Sequence, residues 1–365
     1  LYAPDEKLNR DFFAVRWAGY LQTDKTETVS LGLEGNDGYR LYLNDTLIID
    51  RWDKQTFYTA TVTRRLVANT RYRLKIEFKE PVGNAAIRLV WSKGSGHNPA
   101  LLRQQAVAAA KNADAVVVVA GIHEGEFQDR ALLGLDYGQE ELINALAATG
   151  KPVTVLLVGG SAITMPWLQK VQAVAMVWYP GEEGGHGVAD VLTGKVNPAG
   201  RLPITFPVHE AQLPLSYWHL PTGRGDDYHN LSGEPLFPFG FGLSYTRFAY
   251  SDLKLAQNTL KAGEKTWVEV TVENTGSYDG EEVVQLYLRD ELATVVRPLL
   301  ELKAFKRIFL RSGQKQTLRF DIDPEMLQMW NSNNERVLEA GDFRIMVGAS
   351  SKDLRLKTTL TVLPQ

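Results

Sequence analysis

The first part of the chain alternates apolar and polar residues in short segments. Between residues 12 and 93, turn signals such as "GNDG" separate these segments. A period of two predicts strands, because successive side chains of a strand point to opposite faces. The predicted strands are "FFAVRWAGYL", "TETVSLGLEG", "YRLYLND", "TLIIDRW", "FYTATVTRRL", "RYRLKIEFKE" and "AAIRLVWS". Short strands at this spacing predict a β-sandwich.

Residues 100–206 have a different pattern, in which apolar runs alternate with segments of helical period. The predicted strands are "DAVVVVAG", "KPVTVLLVGG" and "VQAVAMVWYPG". The predicted helices are "LLRQQAVAAAKNA", "QEELINALAATG", "SAITMPWLQK" with Ser161 as N-cap, and "EEGGHGVADVLTG". "DAVVVVAG" is apolar on both faces, which predicts a central strand. The order of these elements predicts a parallel sheet between two layers of helices.

Residues 207–248 are rich in Pro, Gly and aromatic residues, and they predict a long, ordered, irregular segment. The period of two then returns and predicts an immunoglobulin-like sandwich. Its predicted strands are "TWVEVTVENTG", "EEVVQLYLRD", "LLELKAFKRIFL", "KQTLRFDID", "GDFRIMVGASS" and "DLRLKTTLTVL".

The fold class predicted from these patterns is multidomain. It comprises a β-sandwich at 1–95, an α/β sandwich with a mainly parallel sheet at 96–248, and an immunoglobulin or fibronectin III-like sandwich at 249–365.

Composition narrows the function classes. The 365 residues carry a net charge of −3, and 44% are apolar. No basic tract is present, which argues against a nucleic-acid partner. No apolar run reaches about 18 residues, so no membrane span is predicted. Cysteine is absent, which excludes disulfides and cysteine metal sites. The chain does not begin with Met, and we expect it to be part of a longer polypeptide.

The main candidate for chemistry is "GIHEGEFQDR", residues 121–130, directly after the first apolar strand. It carries Glu124, Glu126 and Asp129 between His123 and Arg130. Ligand sites of open parallel sheets lie beyond the carboxyl ends of the strands, and clustered carboxylates suit general acid catalysis. A solvated loop ordered by a pair between Asp129 and Arg130 is the structural alternative. No metal is predicted, because no second His stands at ligand spacing from His123.

A weaker signal is Gly159-Gly160-Ser161 before a predicted helix. It allows the hypothesis of a nucleotide-binding turn, although the pattern is neither a Walker loop nor a full GxGxxG. A tight turn for packing of strand against helix is the favoured interpretation. His186 within "GGHG" is interpreted as structural.

Longer stretches resemble the C-terminal half of glycoside hydrolase family 3. They are "AGIHEGEFQDRALLGLDYGQEELINAL", "VWYPGEEGGHGVADVLTGKVNPAGRLPITFP" and "PLFPFGFGLSYTRFAYSDLKL". "VTVENTGSYDGEEVVQLYLRD" and "EAGDFRIMVGASSKDLRL" resemble the fibronectin type III-like domain that ends many members. "FAVRWAGYL" and "LGLEGNDGYRLYLNDTLIIDRW" resemble a protective-antigen-type sandwich.

The resemblance implies a retaining, exo-acting β-glucosidase that releases terminal non-reducing β-D-glucosyl residues, with cellulose degradation as its setting. It implies Glu126, three residues before Asp129-Arg130, as the acid/base. Members of the family often carry Gly directly after this Glu. Here Phe127 follows Glu126, whereas Gly125 follows Glu124, so Glu124 is the runner-up. His123 then lines the site, while Asp129 and Arg130 shape the loop.

The resemblance also implies a nucleophilic Asp on an N-terminal barrel. No "SDW"-type stretch occurs here, so the barrel is expected from a separate chain or a missing segment. In the N-terminal module, Trp52 and Phe57 are candidates for sugar contact, with core packing as the alternative. Asn36-Asp37 stands where related calcium lectins carry paired aspartates, which argues against calcium. No cofactor is expected.

Alternatives stay open at this stage. They are a β-xylosidase or α-arabinofuranosidase of the same family, and a non-catalytic carbohydrate-binding protein. A secreted or periplasmic location is favoured, a short β-glucoside is the expected substrate, and a homo-oligomer is one possible assembly.

Overall fold

The computed structural model describes residues 7, 9, 11–53, 57–83, 86–93, 99–125, 129–223 and 225–364. The chain divides into two compact units. The first contains residues 1–117, 123–130 and 138–154, and the second contains residues 118–122, 131–137 and 155–365.

The first unit begins with the predicted β-sandwich. Its strands are β1 (Phe13–Leu21), β2 (Glu27–Gly35), β3 (Gly38–Leu43), β4 (Thr46–Arg51), β5 (Tyr58–Leu66), β6 (Tyr72–Glu80) and β7 (Ile87–Lys93). They form two antiparallel sheets with the orders β1-β6-β3-β4 and β5-β2-β7. Alternate residues such as Leu31, Leu33 and Leu41 are buried in one core between the sheets. This alternation is the pattern from which the sandwich was predicted.

An α/β segment follows. Its elements are α1 (Pro99–Lys111), β8 (Val116–Gly121), α2 (Gln139–Ala147), β9 (Val153–Val158), a 3-10 helix (Leu168–Lys170), β10 (Ala173–Trp178) and α3 (Gly184–Leu192). The three strands form one sheet in the order β10-β9-β8. The Val116 N–H donates to the Pro152 carbonyl, and the Ile122 N–H donates to the Val158 carbonyl. Both partners advance together along the chain, so β8 and β9 are parallel.

The prediction that "DAVVVVAG" forms a central strand is wrong. In the described part of the chain β9 is central and β8 is an edge strand. Val117 and Val119 are 53% and 69% exposed, whereas Val118 and Ala120 are buried. An apolar run indicates burial but does not identify the neighbouring strands, and here one face of β8 lacks a cover among the described residues.

The predicted helix "SAITMPWLQK" is also wrong, since only the 3-10 turn Leu168–Lys170 forms there. Pro166 disfavours a helical conformation at Met165. The Thr164 N–H donates to the Leu133 carbonyl, which is a bond outside any helix. Ser161 therefore caps no α-helix, and the segment is buried in a non-helical conformation.

The second unit ends with the predicted terminal sandwich. Its elements are β11 (Phe248–Leu255), β12 (Thr259–Leu260), β13 (Thr266–Asn274), β14 (Gly280–Asp290), β15 (Glu301–Leu310), β16 (Lys315–Ile322), α4 (Pro324–Leu327), β17 (Met329–Trp330), β18 (Arg336–Val337), β19 (Gly341–Gly348) and β20 (Leu354–Val362). The sheets β11-β13-β16 and β12-β20-β19-β14-β15 enclose one apolar core. The short β17 and β18 pair with each other.

The segment between α3 and β11 is irregular and ordered, as predicted. Apart from residue 224 it is described throughout, and its regular structure is the 3-10 helix Glu210–Gln212 and a bridge between Phe206 and Phe237. The buried Gln212 amide donates to the carbonyls of Ser232 and Glu234. Side-chain amides here satisfy the backbone groups that a sheet would otherwise satisfy.

Candidate active site

The acidic loop leaves the sheet abruptly at the carboxyl end of β8. A Cβ on Gly121 would lie 2.4 Å from the Val158 carbonyl oxygen, so a glycine is required for this close approach. Ile122 is buried, and its N–H donates to the Val158 carbonyl over 3.1 Å. The backbone is therefore held up to Ile122, and the exposed His123 follows directly.

The chain beyond the loop is held at Leu133. The Leu133 N–H donates to Oε1 of Glu210 over 2.7 Å, and its carbonyl accepts from the Thr164 N–H over 3.0 Å. Tyr137 and Gly138 then adopt left-handed conformations before α2 begins. Sequence analysis missed Glu210, because its partner is a backbone amide far away in the chain and no periodicity marks such a contact.

The sequence candidates of the loop differ in exposure. His123, Glu124 and Asp129 are exposed, and Arg130 is half-buried. Glu126 lies outside the described residues. A carboxyl acts as an acid near neutral pH when its removal from water raises its pKa. Glu124 would therefore need a further surface over it to serve as the proton donor.

The carboxyl end of β10 carries a strained residue that sequence analysis missed. Trp178 has a φ of 54°, a left-handed conformation that bulky residues rarely adopt. Its ring packs edge-on against Phe206, with ring centres 6.3 Å apart. Strained backbone clusters at functional sites, which makes Trp178 and the exposed Tyr179 additional candidates. A bulky residue at a strand end just before "YPG" is the only sequence signal.

The glycine turn after β9 fits close packing. A Cβ on Gly159 would lie 2.5 Å from the Ile122 side chain. The Gly159 N–H donates to the Trp178 carbonyl over 3.3 Å, which links the ends of β9 and β10. At the start of α3, Nδ1 of His186 lies 2.5 Å from Oε2 of Glu183, and both side chains are exposed. The two residues are three positions apart in the chain, so their contact is local and agrees with a structural role for His186.

Residues 27–245 match the family model described as the glycosyl hydrolase family 3 C-terminal domain. This chain belongs to glycoside hydrolase family 3. Residues 282–351 match the fibronectin type III-like domain, which agrees with the terminal sandwich.

Relatives of this family 3 chain include a beta-xylosidase of Formosa agariphila, 44% identical over 71% of the chain and 37% of that protein. A periplasmic beta-glucosidase of Salmonella typhimurium is 39% identical over 70% of the chain and 35% of that protein. The crystal structure of a beta-glucosidase from Kluyveromyces marxianus in complex with glucose is 26% identical. It matches 99% of the chain and 46% of that protein, with a TM-score of 0.76. The chain thus spans less than half the length of these relatives.

In the first sandwich, the Trp52 ring already contacts two cations. The Arg40 guanidinium carbon and the Lys79 ammonium lie 4.5 and 5.1 Å from its centre. Such contacts stabilise the sandwich itself. Phe57 is half-buried, and residues 54–56 between it and Trp52-Asp53 lie outside the described residues.

The turn at Asn36-Asp37, where no calcium is expected, is held by hydrogen bonds to the backbone of Ala86. Oδ1 of Asn36 accepts from the Ala86 N–H over 2.8 Å, and the Asn36 N–H donates to the Ala86 carbonyl. Asp37 is buried with a left-handed φ of 65°. In the part of the chain that the structure describes, no three His, Asp or Glu side chains form a metal-binding group. Within that part, no helix has the length and apolarity to cross a membrane.

Proposed function

We propose that the chain is the acid/base-bearing portion of a retaining, exo-acting β-glucosidase. Glu126 protonates the leaving oxygen and then activates water, with Glu124 as the alternative. A barrel domain outside these residues supplies the nucleophilic Asp. His123 lines the site, Asp129 and Arg130 shape the loop, and Trp52 and Phe57 approach the substrate from the N-terminal module.

The observation that carries this proposal is an acidic loop with two fixed ends. Ile122 is bonded to β9 before the loop, and Leu133 is bonded to Glu210 and Thr164 after it. A loop between fixed ends can hold a carboxyl at a reproducible position, which catalysis requires. Its place beyond the carboxyl end of a parallel strand is where open sheets of this kind bind ligands.

The exposure of Glu124 supports a role for a second domain. A proton donor in glycoside hydrolysis needs a raised pKa, which removal of its carboxyl from water supplies, and Glu124 is exposed in this chain. A barrel that brings the nucleophile would also cover this carboxyl. Retention further requires the two carboxyls to lie about 5–5.5 Å apart.

Substitution of Glu126 tests the assignment in an enzyme that contains the barrel. We expect Glu126→Ala to lower kcat/KM by about 10²–10⁴-fold for glucosides with poor leaving groups. Aryl glucosides with activated leaving groups should lose less, because their departure needs no proton. Added azide should restore turnover of the activated substrates and form a β-glucosyl azide.

Glu124→Ala is the matched variant, because it removes the same group two positions earlier. It should keep the parent dependence on the leaving group and should gain nothing from azide. If Glu124→Ala shows the collapse and the rescue instead, Glu124 is the acid/base. If neither variant is impaired, the loop is not catalytic.

The Formosa relative favours a second candidate within the family, a β-xylosidase. Comparison of kcat/KM for aryl β-glucoside and aryl β-xyloside distinguishes the two activities. Binding of glycans without any turnover, with the barrel present, would instead indicate a carbohydrate-binding protein. The Salmonella relative supports a periplasmic or secreted location, which fractionation of the producing cells would test.

A further inference from the structure

The second unit contains a cavity of about 460 Å³ that lies away from the acidic loop in the sequence. The irregular segment forms one wall, and the outer face of the five-stranded sheet forms the other. On the sheet, Arg289 lies directly opposite Arg344, and Met346 lies opposite Lys357. The volume falls within the range of about 300–1,000 Å³ that is typical of small-molecule sites.

The two arginines of the cavity share one carboxylate. Nε of Arg344 lies 2.6 Å from Oε1 of Glu291, and Nε of Arg289 lies 3.7 Å from Oε2 of the same side chain. Like charges on directly opposite strand positions destabilise a sheet unless an anion compensates them. One carboxylate compensates only one of these two cations.

The other charged side chains of the cavity also include a cation without a carboxylate partner. Lys352 pairs with Glu234 over 2.9 Å, and Asp226 faces Nε2 of His219 over 3.4 Å. Among the described residues, the Lys357 ammonium has no hydrogen bond or ion pair. Among the described lining residues, four are Lys or Arg and one, Asp226, is a carboxylate. Glu291 and Glu234 pair with the arginines and with Lys352 from outside the lining, which leaves Lys357 for an anion.

The cavity also contains Ser216, His219 and Asp226, but their geometry does not suit nucleophilic catalysis. Nδ1 of His219 lies 3.0 Å from the Leu220 carbonyl oxygen, and Nε2 faces Asp226. Among the described residues, no hydrogen bond joins the Ser216 hydroxyl to the His219 ring, and Oγ of Ser216 accepts instead from the Trp218 N–H over 3.4 Å. The cavity is suited to binding.

The remaining lining is rigid and mostly apolar. The Tyr217 ring stacks on Phe239 with centres 4.2 Å apart and meets Tyr287 edge-on. Met346 and Leu300 are buried beside them. Such surfaces suit the C–H faces of a sugar ring, and the hydroxyls of Thr205 and Ser216 are among the polar groups of the lining.

We propose that this cavity binds a small sugar acid of the hexuronate class. Its single carboxylate pairs with Lys357 and the arginine pair, and its ring lies against Met346 and the Tyr217 wall. Arginine binds carboxylates through two parallel hydrogen bonds, which selects a planar anion over a neutral hydroxymethyl group.

Titration calorimetry of the 365-residue chain tests this site with D-glucuronate, D-glucose and acetate. We expect saturable binding of glucuronate, at least about tenfold weaker binding of glucose, and weaker binding of acetate, which lacks the ring. Lys357→Gln should weaken glucuronate binding by about tenfold or more. Lys254→Gln, which removes an exposed lysine on the other sheet, should leave it unchanged.

Four results would overturn the proposal. Three of them are no saturable binding of glucuronate, equal binding of glucose and glucuronate, and equal affinity in Lys357→Gln and Lys254→Gln. Binding of acetate as tight as that of glucuronate would show that the sugar ring is not recognised, and it would also overturn the assigned class. Circular dichroism of each variant confirms that it is folded, and Glu126→Ala should bind glucuronate like the parent, which separates this test from the catalytic one.

Discussion

At the scale of single residues, two tyrosines with buried hydroxyls show how a hydrogen bond that the sequence does not reveal decides the effect of a substitution. The Tyr287 hydroxyl donates to Oε1 of Gln285 over 2.6 Å. The Tyr250 hydroxyl is buried and has no hydrogen-bond partner among the described residues. Burial raises the pKa of both phenols. Tyr287 lies in the predicted strand "EEVVQLYLRD", whereas no strand was predicted at Tyr250, and periodicity reveals the partner of neither hydroxyl.

Removal of the two hydroxyls should therefore have opposite consequences. Tyr250→Phe deletes an unpaired buried polar group, and we expect the free energy of unfolding to stay equal or to rise by up to about 1 kcal/mol. Tyr287→Phe leaves the Gln285 oxygen unpaired and should lower it by about 1–3 kcal/mol. Urea unfolding of both variants measures this, and an equal loss in the two would contradict the interpretation of Tyr250.

At the scale of elements, the period of two predicted the strands well where each strand has one buried face. In β13 every second residue of "TWVEVTVEN" is buried, as the alternation requires. The predictions for β8 and for "SAITMPWLQK" were wrong because their structure depends on neighbours in space. The missing cover of β8 and the bond from Thr164 to Leu133 are both distant in sequence.

The anchor at Leu133 leads to a prediction for the segment that follows the acidic loop. Glu210→Ala removes the carboxylate that accepts the Leu133 N–H, so we expect faster amide exchange across residues 131–137. Glu210→Gln keeps an oxygen acceptor of the same reach and should restore most of the protection. Mass-spectrometric hydrogen exchange measures both variants, and unchanged exchange in Glu210→Ala would show that this bond does not hold the segment.

At the scale of the whole molecule, the sequence predicted the order of the three parts and the place of the acidic loop. The loop follows the carboxyl end of β8, as the order of the elements predicted, and its role as a ligand site stays a prediction. The strain at Trp178, the role of Glu210 and the charged cavity were not predicted, because each depends on side chains brought together from distant segments.

A buried ion pair joins the irregular segment to the terminal sandwich, and it was not predicted either, because its two side chains come from distant segments. Arg201 donates to Glu282 over 2.6 Å, and both side chains are more than 90% buried. Arg201→Met leaves the Glu282 carboxylate buried without its cation, and we expect the free energy of unfolding to fall by about 3–5 kcal/mol. The double variant Arg201→Met/Glu282→Leu removes both charges and should recover much of this loss.

An exposed pair in the same unit provides the control for this prediction. Lys315 lies 3.0 Å from Glu273 with most of its side chain in water, so Lys315→Met should cost less than about 1 kcal/mol. Denaturant unfolding followed by tryptophan fluorescence compares the three variants. If Arg201→Met lowers the free energy of unfolding by no more than Lys315→Met does, the buried pair contributes no more to stability than the exposed pair. The irregular segment would then be held to the sandwich by its aromatic contacts, such as Tyr217 against Tyr287, and by side-chain amides such as that of Gln285.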